Sequence, residues 1–414
     1  MKSAVDLRAG YDAVIVGARC AGAATALLLA RAGLRVLAVD QSRYGSDTLS
    51  THALMRGGVL QLHRWGLLSA IQAAGTPAVR RTSFHYGEEV VDIPIKPRDG
   101  VDALYAPRRT LLDALLVDAA REAGAEVAHG VRLVDVVRAG ERVSGVLIEA
   151  HSGELVGIRA GMVIGADGLK SAIARRVGAG EYQRARHATS IVYGYWSGLE
   201  VGGYHWYYRP GVSAGAIPTN GGQTCVFVFA PPRRFREEIR HDIAAGYHRL
   251  LAESAPELAR LVSRAQRAGA FHSFRGEPGF LRQGWGPGWA LVGDAGYFKD
   301  PITAHGITDA LRDAELLARA VAEGSESALA DYQATRDQLS LGLFRATEEV
   351  ASFEWDLPSL QRQHLLMSEE MGREVATLAA LEGKFFPTPR GAVRGAVPLP
   401  SIQESGRTYW DEVQ

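Results

Sequence analysis

Glycines cluster in three widely separated segments, the last two with a carboxylate: Val16-Gly17-Ala18-Arg19-Cys20-Ala21-Gly22, Gly165-Ala166-Asp167-Gly168 and Val292-Gly293-Asp294-Ala295-Gly296. A glycine turn that opens a helix presents unpaired N–H groups and the positive end of the helix dipole, which suits phosphate. In a dinucleotide-binding turn the first glycine makes the bend, the second lets the backbone approach a pyrophosphate, and the third permits close helix–strand packing. Gly17 and Gly22 fill the first and third places, and Arg19 stands where the second glycine belongs. Arg19 serves there if its side chain points away or adds charge near the phosphates. Asp40, at the tip of the next strand, suits a ribose hydroxyl. Asp167 follows the apolar run Met162-Val163-Ile164, so its carboxylate is expected at the carboxyl end of a strand, where open α/β sheets bind ligands. Cys20 reads as a small packing residue rather than a reactive thiol.

These residues need elements to hold them. Residues 12–16 are a short β-branched run ending at Gly17, and residues 20–32 are rich in Ala and Leu, which gives strand, turn and helix. Arg35 to Asp40 reads as a second strand, completing a βαβ unit on a buried parallel sheet. Leu112, Leu115, Leu116 and Ala119 recur at helical spacing between Arg109 and Glu122, and strand-like runs follow over 126–127, 131–137 and 145–148. From 182 to 230 the character changes. Tyr193, Tyr195, Trp196, Tyr204, Trp206, Tyr207 and Tyr208 alternate with Gly and polar residues between the turn signals Pro210-Gly211 and Asn220-Gly221-Gly222, which predicts an antiparallel sheet. Helical periodicity returns over 235–268 with a break at Ala255-Pro256, and further helices are predicted over 307–322, 328–353 and 358–381. The final stretch, with several Pro and Gly, is expected to wrap the surface or to move.

Bulk properties narrow the function classes. A chain of 414 residues exceeds the ~250–300 at which one core stops growing, so about two domains are expected, and 47% apolar residues can fill their cores. Lys and Arg balance Asp and Glu at 46 each, which gives no reason to expect nucleic acid or an anionic membrane as partner; a charged ligand must be recognised locally. The two cysteines supply neither a disulfide framework nor a zinc set, so no metal is expected. The N-terminus lacks a signal-peptide pattern, and the longest uncharged apolar run, Cys20 to Ala30, is short of a ~20-residue span. The expectation is a soluble cytoplasmic protein without membrane insertion, monomeric or homodimeric.

The order and spacing of the three segments resemble the FAD-dependent monooxygenases of the para-hydroxybenzoate hydroxylase type and their geranylgeranyl-reductase-like relatives, over roughly residues 10 to 340. The run Asp294-Ala295-Gly296-Tyr297-Phe298-Lys299-Asp300-Pro301-Ile302-Thr303-Ala304-His305-Gly306-Ile307-Thr308-Asp309 carries the resemblance furthest. It implies an α/β fold: a discontinuous FAD-binding Rossmann-like domain (1–80, 106–182 and 271–330), an inserted antiparallel-sheet substrate domain (81–105 and 183–270), and C-terminal helices and tail (331–414). It implies FAD contacts from Gly17, Ala18, Cys20, Ala21, Gly22, Asp40, Gln41, Arg43, Ser50, Thr51, Arg109, Val131, Asp167, Gly168, Gly293 and Asp294. Arg108 is an alternative register for Arg109. Pro301, Gly306 and Ile307 would run beside the flavin ring, the last two opening a helix whose N–H groups face it.

The resemblance further implies an enzyme that reduces its flavin with NADPH or NADH, docked transiently because no second glycine-rich βαβ fingerprint is present. It would then hydroxylate or epoxidise an apolar, aromatic or polycyclic small molecule with molecular oxygen through a flavin hydroperoxide. Tyr193, Tyr195, Trp206, Tyr208 and Pro218 are the expected substrate-pocket residues. His52 and His305, nearest the expected ring, are candidate proton carriers near neutral pH, and His205 is a further candidate for assisting phenol deprotonation. The main rival is a reductase of a carbon–carbon double bond. A halogenase is disfavoured because Ala214-Gly215-Ala216-Ile217-Pro218 keeps only the end of a Trp-x-Trp-x-Ile-Pro motif. A non-catalytic escort protein is opposed by the intact Asp294 and Pro301 to Gly306.

Overall fold

A computed structural model describes residues 7–150 and 152–381. The chain begins with β1 (Leu7–Val16), α1 (Cys20–Arg31) and β2 (Val36–Asp40), then α2 (Arg56–Arg64), α3 (Leu68–Ala73) and the hairpin β3 (Arg81–Tyr86)–β4 (Glu89–Pro94). Next come α4 (Arg109–Glu122), β5 (Glu126–His129), β6 (Arg132–Ala139), β7 (Arg142–Glu149), β8 (Leu155–Gly165), α5 (Ala172–Val177) and β9 (Glu181–Arg184). The middle of the chain supplies β10 (Ser190–Ser197), β11 (Tyr204–Arg209), β12 (Val212–Thr219), β13 (Gln223–Ala230), α6 (Pro232–Arg234), α7 (Ile243–Ser254), α8 (Pro256–Val262) and β14 (Gln266–Phe274). Short strands β15 (Phe280–Arg282), β16 (Trp285–Gly286), β17 (Trp289–Leu291) and β18 (Tyr297–Phe298) lead to three long helices, α9 (Gly306–Glu323), α10 (Glu326–Ser352) and α11 (Leu357–Ala380).

In the first sheet β17, β8, β1, β2 and β5 run parallel, with β16 antiparallel at one edge and β6–β7 joining β8 as an antiparallel meander. Its central strands are β-branched and buried on both faces, as a parallel sheet requires. α1 buries nearly every residue, and its alanines let it lie close against α4 and α9. The third glycine position lets α1 start close to the β1 turn: a Cβ on Gly22 would sit 1.8 Å from the Gly17 carbonyl oxygen.

The second sheet has seven strands in the order β14-β10-β13-β12-β11-β3-β4. It is antiparallel except for one parallel pair, β11 with β3 (Tyr204 opposite Thr82), which the alternation of residues alone did not reveal. Residues 266–268, expected at the end of a helix, belong instead to β14, because α8 stops at Val262 and the chain pairs with β10 from Gln266 onward. One face of the sheet, with Tyr193, Tyr195, Trp206 and Phe227, joins the main core; the other packs against α7 and α8. No helix among the described residues is long and apolar enough to cross a membrane. The tail expected to wrap the surface, from 382 onward, lies outside the described residues.

Candidate active site

The carboxyl ends of β1, β2 and β8 face the inner side of the seven-stranded sheet across a cavity of about 660 Å³, the size of a cofactor or ligand site. The glycine turn forms its floor. Gly17 adopts a φ of 104°, and a Cβ there would lie 2.3 Å from the Ala166 carbonyl oxygen, so only glycine lets the β1 and β8 turns meet. Asp40 holds the turn from the side: its Oδ2 accepts the Ala18 N–H (2.7 Å) and its Oδ1 accepts the Ser42 N–H (2.7 Å). Each of those oxygens keeps a second lone pair for a ligand hydroxyl.

Arg19, the departure from the glycine fingerprint, turns its side chain to the neighbouring elements. Its guanidinium donates to Asp113 Oδ2 (3.1 Å) on α4 and to the Ser46 carbonyl oxygen (3.2 Å). Asp113 is buried and also receives Arg109 through Nε and Nη2, both at 3.0 Å, and the Cys20 thiol at 3.0 Å. Two arginines thus share one carboxylate beside the turn, which leaves a net positive charge there. The wider lining repeats this bias: Arg19, Arg109, Arg132, Lys170, Arg175 and Lys299 against Asp40, Asp167 and Asp294. In a chain whose overall charges cancel, this local excess suits an anionic ligand. Cys20 is inert, since burial raises its thiol pKa.

Asp167 borders the cavity, but its carboxylate serves α5. Oδ2 accepts the N–H groups of Ala172 (2.6 Å) and Ile173 (3.1 Å), and Oδ1 accepts the Ser171 hydroxyl (2.5 Å). Asp294 is different. It is enclosed by protein with its carboxylate opening on the cavity, and burial, with help from Asp309, raises its pKa to about 6. Beside it, Lys299, Pro301, Ala304, Gly306 and Ile307 form a wall that leads into α9. Ala304 takes a left-handed φ of 49°, and a Cβ on Gly306 would meet nothing within 4 Å, so the first turn of α9 opens onto the cavity.

Behind that wall lies a buried ion web. Lys299 pairs with Asp309; Arg312 donates to Asp309 (3.0 Å), Asp313 (2.7 Å) and Glu374 (2.9 Å); His305 Nε2 meets Glu374 Oε2 at 2.8 Å. The ligand atoms of His305, Asp309 and Glu374 lie within 4.8 Å of one another. Lys299 and Arg312 already neutralise the two carboxylates, so this is an ion-pair web and not a cation cage.

Of the three candidate histidines, only His52 borders the cavity. Burial, reinforced by Arg108 and Arg109, pushes its pKa down to about 3, which favours the neutral ring. His305 sits behind the wall on Glu374. His205 is on the far face of the seven-stranded sheet, its Nδ1 3.2 Å from His85 Nε2, with a pKa lowered by burial to about 4.

Most of the other expected residues come together. Gly17, Cys20, Ala21, Asp40, Gln41, Ser50, Thr51, Arg109, Val131, Asp167, Gly168, Asp294, Pro301, Gly306 and Ile307 all border the cavity. Ala18 and Arg43 face a small neighbouring hollow, while Gly22 and Gly293 act by allowing close approach: a Cβ on Gly293 would lie 2.9 Å from that of Ala21. Among the expected substrate-pocket residues Tyr193 borders the cavity. Tyr195, Trp206 and Tyr208 are instead packed in the core, against His52, Phe227 and His364 respectively, and Pro218 is half-buried outside the cavity lining. Ile191 and Phe274, which carried no sequence signal, complete the apolar lining with Phe298. Asp113 was legible only as part of the helix predicted between Arg109 and Glu122. Glu374 had no local signal at all.

The sequence matches the family described as FAD binding domain over residues 10–347. A probable electron transfer flavoprotein-quinone oxidoreductase, YdiS of Escherichia coli (strain K12), is 34% identical over 176 residues, 41% of this chain and 39% of that protein. This chain therefore spans about two fifths of the length of that relative. Menaquinone reductase of Mycolicibacterium smegmatis (strain ATCC 700084 / mc(2)155) is 25% identical, covering 97% of this chain and 92% of that protein. Among solved structures, the flavin-dependent brominase Bmp2 superposes with a TM-score of 0.76 at 22% identity, over 90% of this chain and 93% of that one. PqsL, a probable FAD-dependent monooxygenase from Pseudomonas aeruginosa, superposes with a TM-score of 0.70 at 22% identity, over 88% of this chain and 100% of that one. These superpositions show a shared fold.

Proposed function

Because the chain belongs to the FAD binding domain family, we propose that this FAD-dependent oxidoreductase is a monooxygenase, using NADPH or NADH and molecular oxygen on an apolar, aromatic or polycyclic small molecule. FAD fits the residues present. The glycine turn and the positive lining suit a diphosphate, Asp40 retains lone pairs for a ribose, and the open side of Gly306 leaves room for a ring system at the start of α9. Gly17, Ala18, Arg109 and Asp294 would hold the cofactor along its length, and Ala304, Gly306 and Ile307 would lie against its ring. When bound, the flavin supplies two-electron chemistry, accepting hydride from the nicotinamide and passing electrons to oxygen.

This chain's own residues contribute binding, orientation and exclusion of water. The observation that carries the reading is the apolar part of the lining, to which Ile191, Tyr193, Phe274 and Phe298 contribute. Such a lining suits a flat apolar ligand. The α9 N–H groups favour negative charge at the ring edge they face.

A reductase is the second reading, favoured by the near full-length alignment with a menaquinone reductase. The FAD-loaded enzyme, supplied with NADPH or NADH and a panel of phenols, polycyclic aromatics and a menaquinone, separates the two. A monooxygenase consumes oxygen in step with nicotinamide when its substrate is present, and the product gains one oxygen atom. Turnover that proceeds equally well without oxygen would overturn the proposal in favour of the reductase.

A further inference from the structure

We propose that β4 is a docking edge for a second copy of this chain: two β4 strands pair antiparallel about a two-fold axis through Val91, joining the two seven-stranded sheets, and the flanks of both α11 helices extend the seam. No residue of β4 borders the cavity, so the inference stands apart from the function proposed for it.

Exposed apolar surface is concentrated here. Ten large apolar side chains are exposed among the described residues, and five of them, Val90, Val91, Ile93, Leu365 and Leu366, belong to β4 and the middle of α11. Those two elements touch. A Cβ on Gly87 would lie 3.3 Å from a Leu357 methyl, and Gln361 donates to Glu89 at 2.9 Å, so one turn of α11 advances the contact by two strand residues. The next turn brings Leu365 alongside Val91. Val91 and Ile93 share the α11 face of the strand with Glu89, because every second side chain points the same way. A contiguous apolar patch of this kind marks an interaction surface.

The backbone of β4 says what partner fits. It is the last strand of its sheet, and all six of its residues are exposed. It pairs with β3 so that Thr82 stands opposite Ile93, and just past its end the Ile95 N–H donates to the Arg80 carbonyl oxygen (2.9 Å). By alternation the main-chain groups of Val90, Asp92 and Pro94 therefore point away from the sheet, and another strand is what satisfies such a row. In an antiparallel pair centred on Val91, Val90 of each copy faces Asp92 of the other, and the two residues exchange both N–H···O bonds. Val91 then meets its own copy at a non-hydrogen-bonded position, where side chains come closest, with Ile93 diagonal to it on the α11 face. Centring the pair on Asp92 instead would set two aspartates side by side and face Val90 with Pro94, which has no N–H to return.

Charge and area also favour a second copy. Glu88 and Glu89 stand at one end of the strand and Lys96 and Arg98 just beyond the other, all exposed, so antiparallel pairing brings the acidic end of each strand to the basic end of its partner. Asp92, which would sit beside Val90 of the other copy, is already balanced by the Ser83 hydroxyl and by Arg81 at 3.8 Å. A pair of six-residue edges alone is small against the ~800 Å² per partner of a stable interface. Leu365 and Leu366, on the adjoining flank of α11, enlarge it.

Sedimentation velocity of the purified full chain at tens of micromolar tests this, and the expected particle has two chain masses. Val91→Lys sets two charges face to face on the axis and is expected to leave single chains with an unchanged circular dichroism spectrum, because Val91 is exposed. Leu155→Lys, at an exposed apolar site on β8, is expected to remain paired. Val91→Cys reads the register. A non-hydrogen-bonded antiparallel pair holds its Cα atoms ~4.5 Å apart, within disulfide range, and the native Cys20 and Cys225 are buried. Diamide is therefore expected to give a covalent dimer that dithiothreitol reverses, and to give none with Leu155→Cys. Any of four results overturns the proposal: a single-chain particle in the wild type, a Val91→Lys variant that stays paired, equal loss of pairing in both lysine variants, or a Val91→Cys variant that cross-links no more than Leu155→Cys.

Discussion

Replacing Glu374 by glutamine should cost this protein about 2–3 kcal/mol although the residue touches nothing that reacts. Glu374 is 2% exposed and comes from α11, yet its two oxygens end on Arg312 and His305 at the start of α9. Breaking a buried pair by removing one partner costs about 3–5 kcal/mol, because a charge is left uncompensated. Here two features reduce that figure. Arg312 retains Asp309 and Asp313. Glutamine also keeps one acceptor oxygen, enough for Arg312 or His305 but not both. At roughly 1.2 °C per kcal/mol for a chain of 414 residues, the midpoint of thermal unfolding should fall by about 2–4 °C. Glu370→Gln, which removes a surface pair with Arg373, is the control and should move it by less than about 1 °C. Acid adds a second signature. Although burial opposes it, the charge on His305 depresses the Glu374 pKa to about 2. A depressed acid contributes stability above its unfolded pKa, near 4.5, and loses it as pH falls toward 2. The wild type should therefore lose stability below pH 4.5 more steeply than Glu374→Gln. Unfolding followed by circular dichroism across that range reads both effects. A variant midpoint within 1 °C of wild type at pH 7 would refute the argument that this web holds the cavity wall.

Three other perturbations read other parts of the site. Asp294→Asn tests the opposite sign of linkage: its pKa is raised to about 6, so in the apoprotein its contribution is full below about 4 and lost as pH rises through 6. The stability of wild-type apoprotein relative to Asp294→Asn should thus fall between pH 4 and 7 by up to about 3 kcal/mol, and parallel curves would contradict it. Asp113→Asn leaves Arg19 and Arg109 without their shared carboxylate at a cost of about 3 kcal/mol, and this loss should be larger in apoprotein than with FAD bound, because a diphosphate restores the missing charge. Equal losses in melting curves of the two forms would remove the diphosphate from this position. Gly22→Ala places a methyl group 1.8 Å from the Gly17 oxygen, a backbone contact that cannot yield. Soluble protein with normal flavin absorbance per chain would show that the turn is looser than described.

The sequence disclosed those features whose determinants are local. The glycine turn was legible because a φ of 104° at Gly17 and the close approach at Gly22 each demand one residue type. The helix over Arg109–Glu122 was legible from its apolar spacing, and the wall from Pro301 to Ile307 through a family pattern. Arg19 was ambiguous, since its partner Asp113 stands far along the chain and only the packing of α1 on α4 brings them together. Tyr195, Trp206 and Tyr208 were legible as inward-facing by alternation, but alternation cannot say whether an inward side chain meets a cavity or other side chains. Depth decided that: Tyr208 is covered by His364 of α11, Trp206 meets Phe227, and Tyr195 meets His52. Asp167 shows the converse, a residue in the expected place whose carboxylate is taken up by three donors of α5 and its cap.

α11 explains why the two walls of the cavity keep their separation, and nothing in its sequence marks it for that task. Near its start Gln361 donates to Glu89 (2.9 Å), and His364 Nδ1 lies 2.7 Å from the Tyr86 hydroxyl with its ring over Tyr208, all on the seven-stranded sheet that carries part of the apolar lining. Further along, Glu374 enters the web behind α9, and Glu374 and Leu378 crowd Gly57 of α2, where a Cβ would lie 3.2 Å from a Glu374 oxygen. One helix thus grips the sheet at one end and the α9 wall at the other. The sheet contacts are two hydrogen bonds and a tilted ring contact, whereas the α9 contacts are buried ion pairs worth more and geometrically stricter. Strain on α11 should accordingly be relieved at the sheet end first, so that His364→Ala loosens the sheet side of the cavity while leaving the web intact. Its expected signature is faster FAD release with a thermal midpoint closer to wild type than that of Glu374→Gln; a variant that destabilises more than Glu374→Gln yet holds FAD normally would assign the grip to the wrong end.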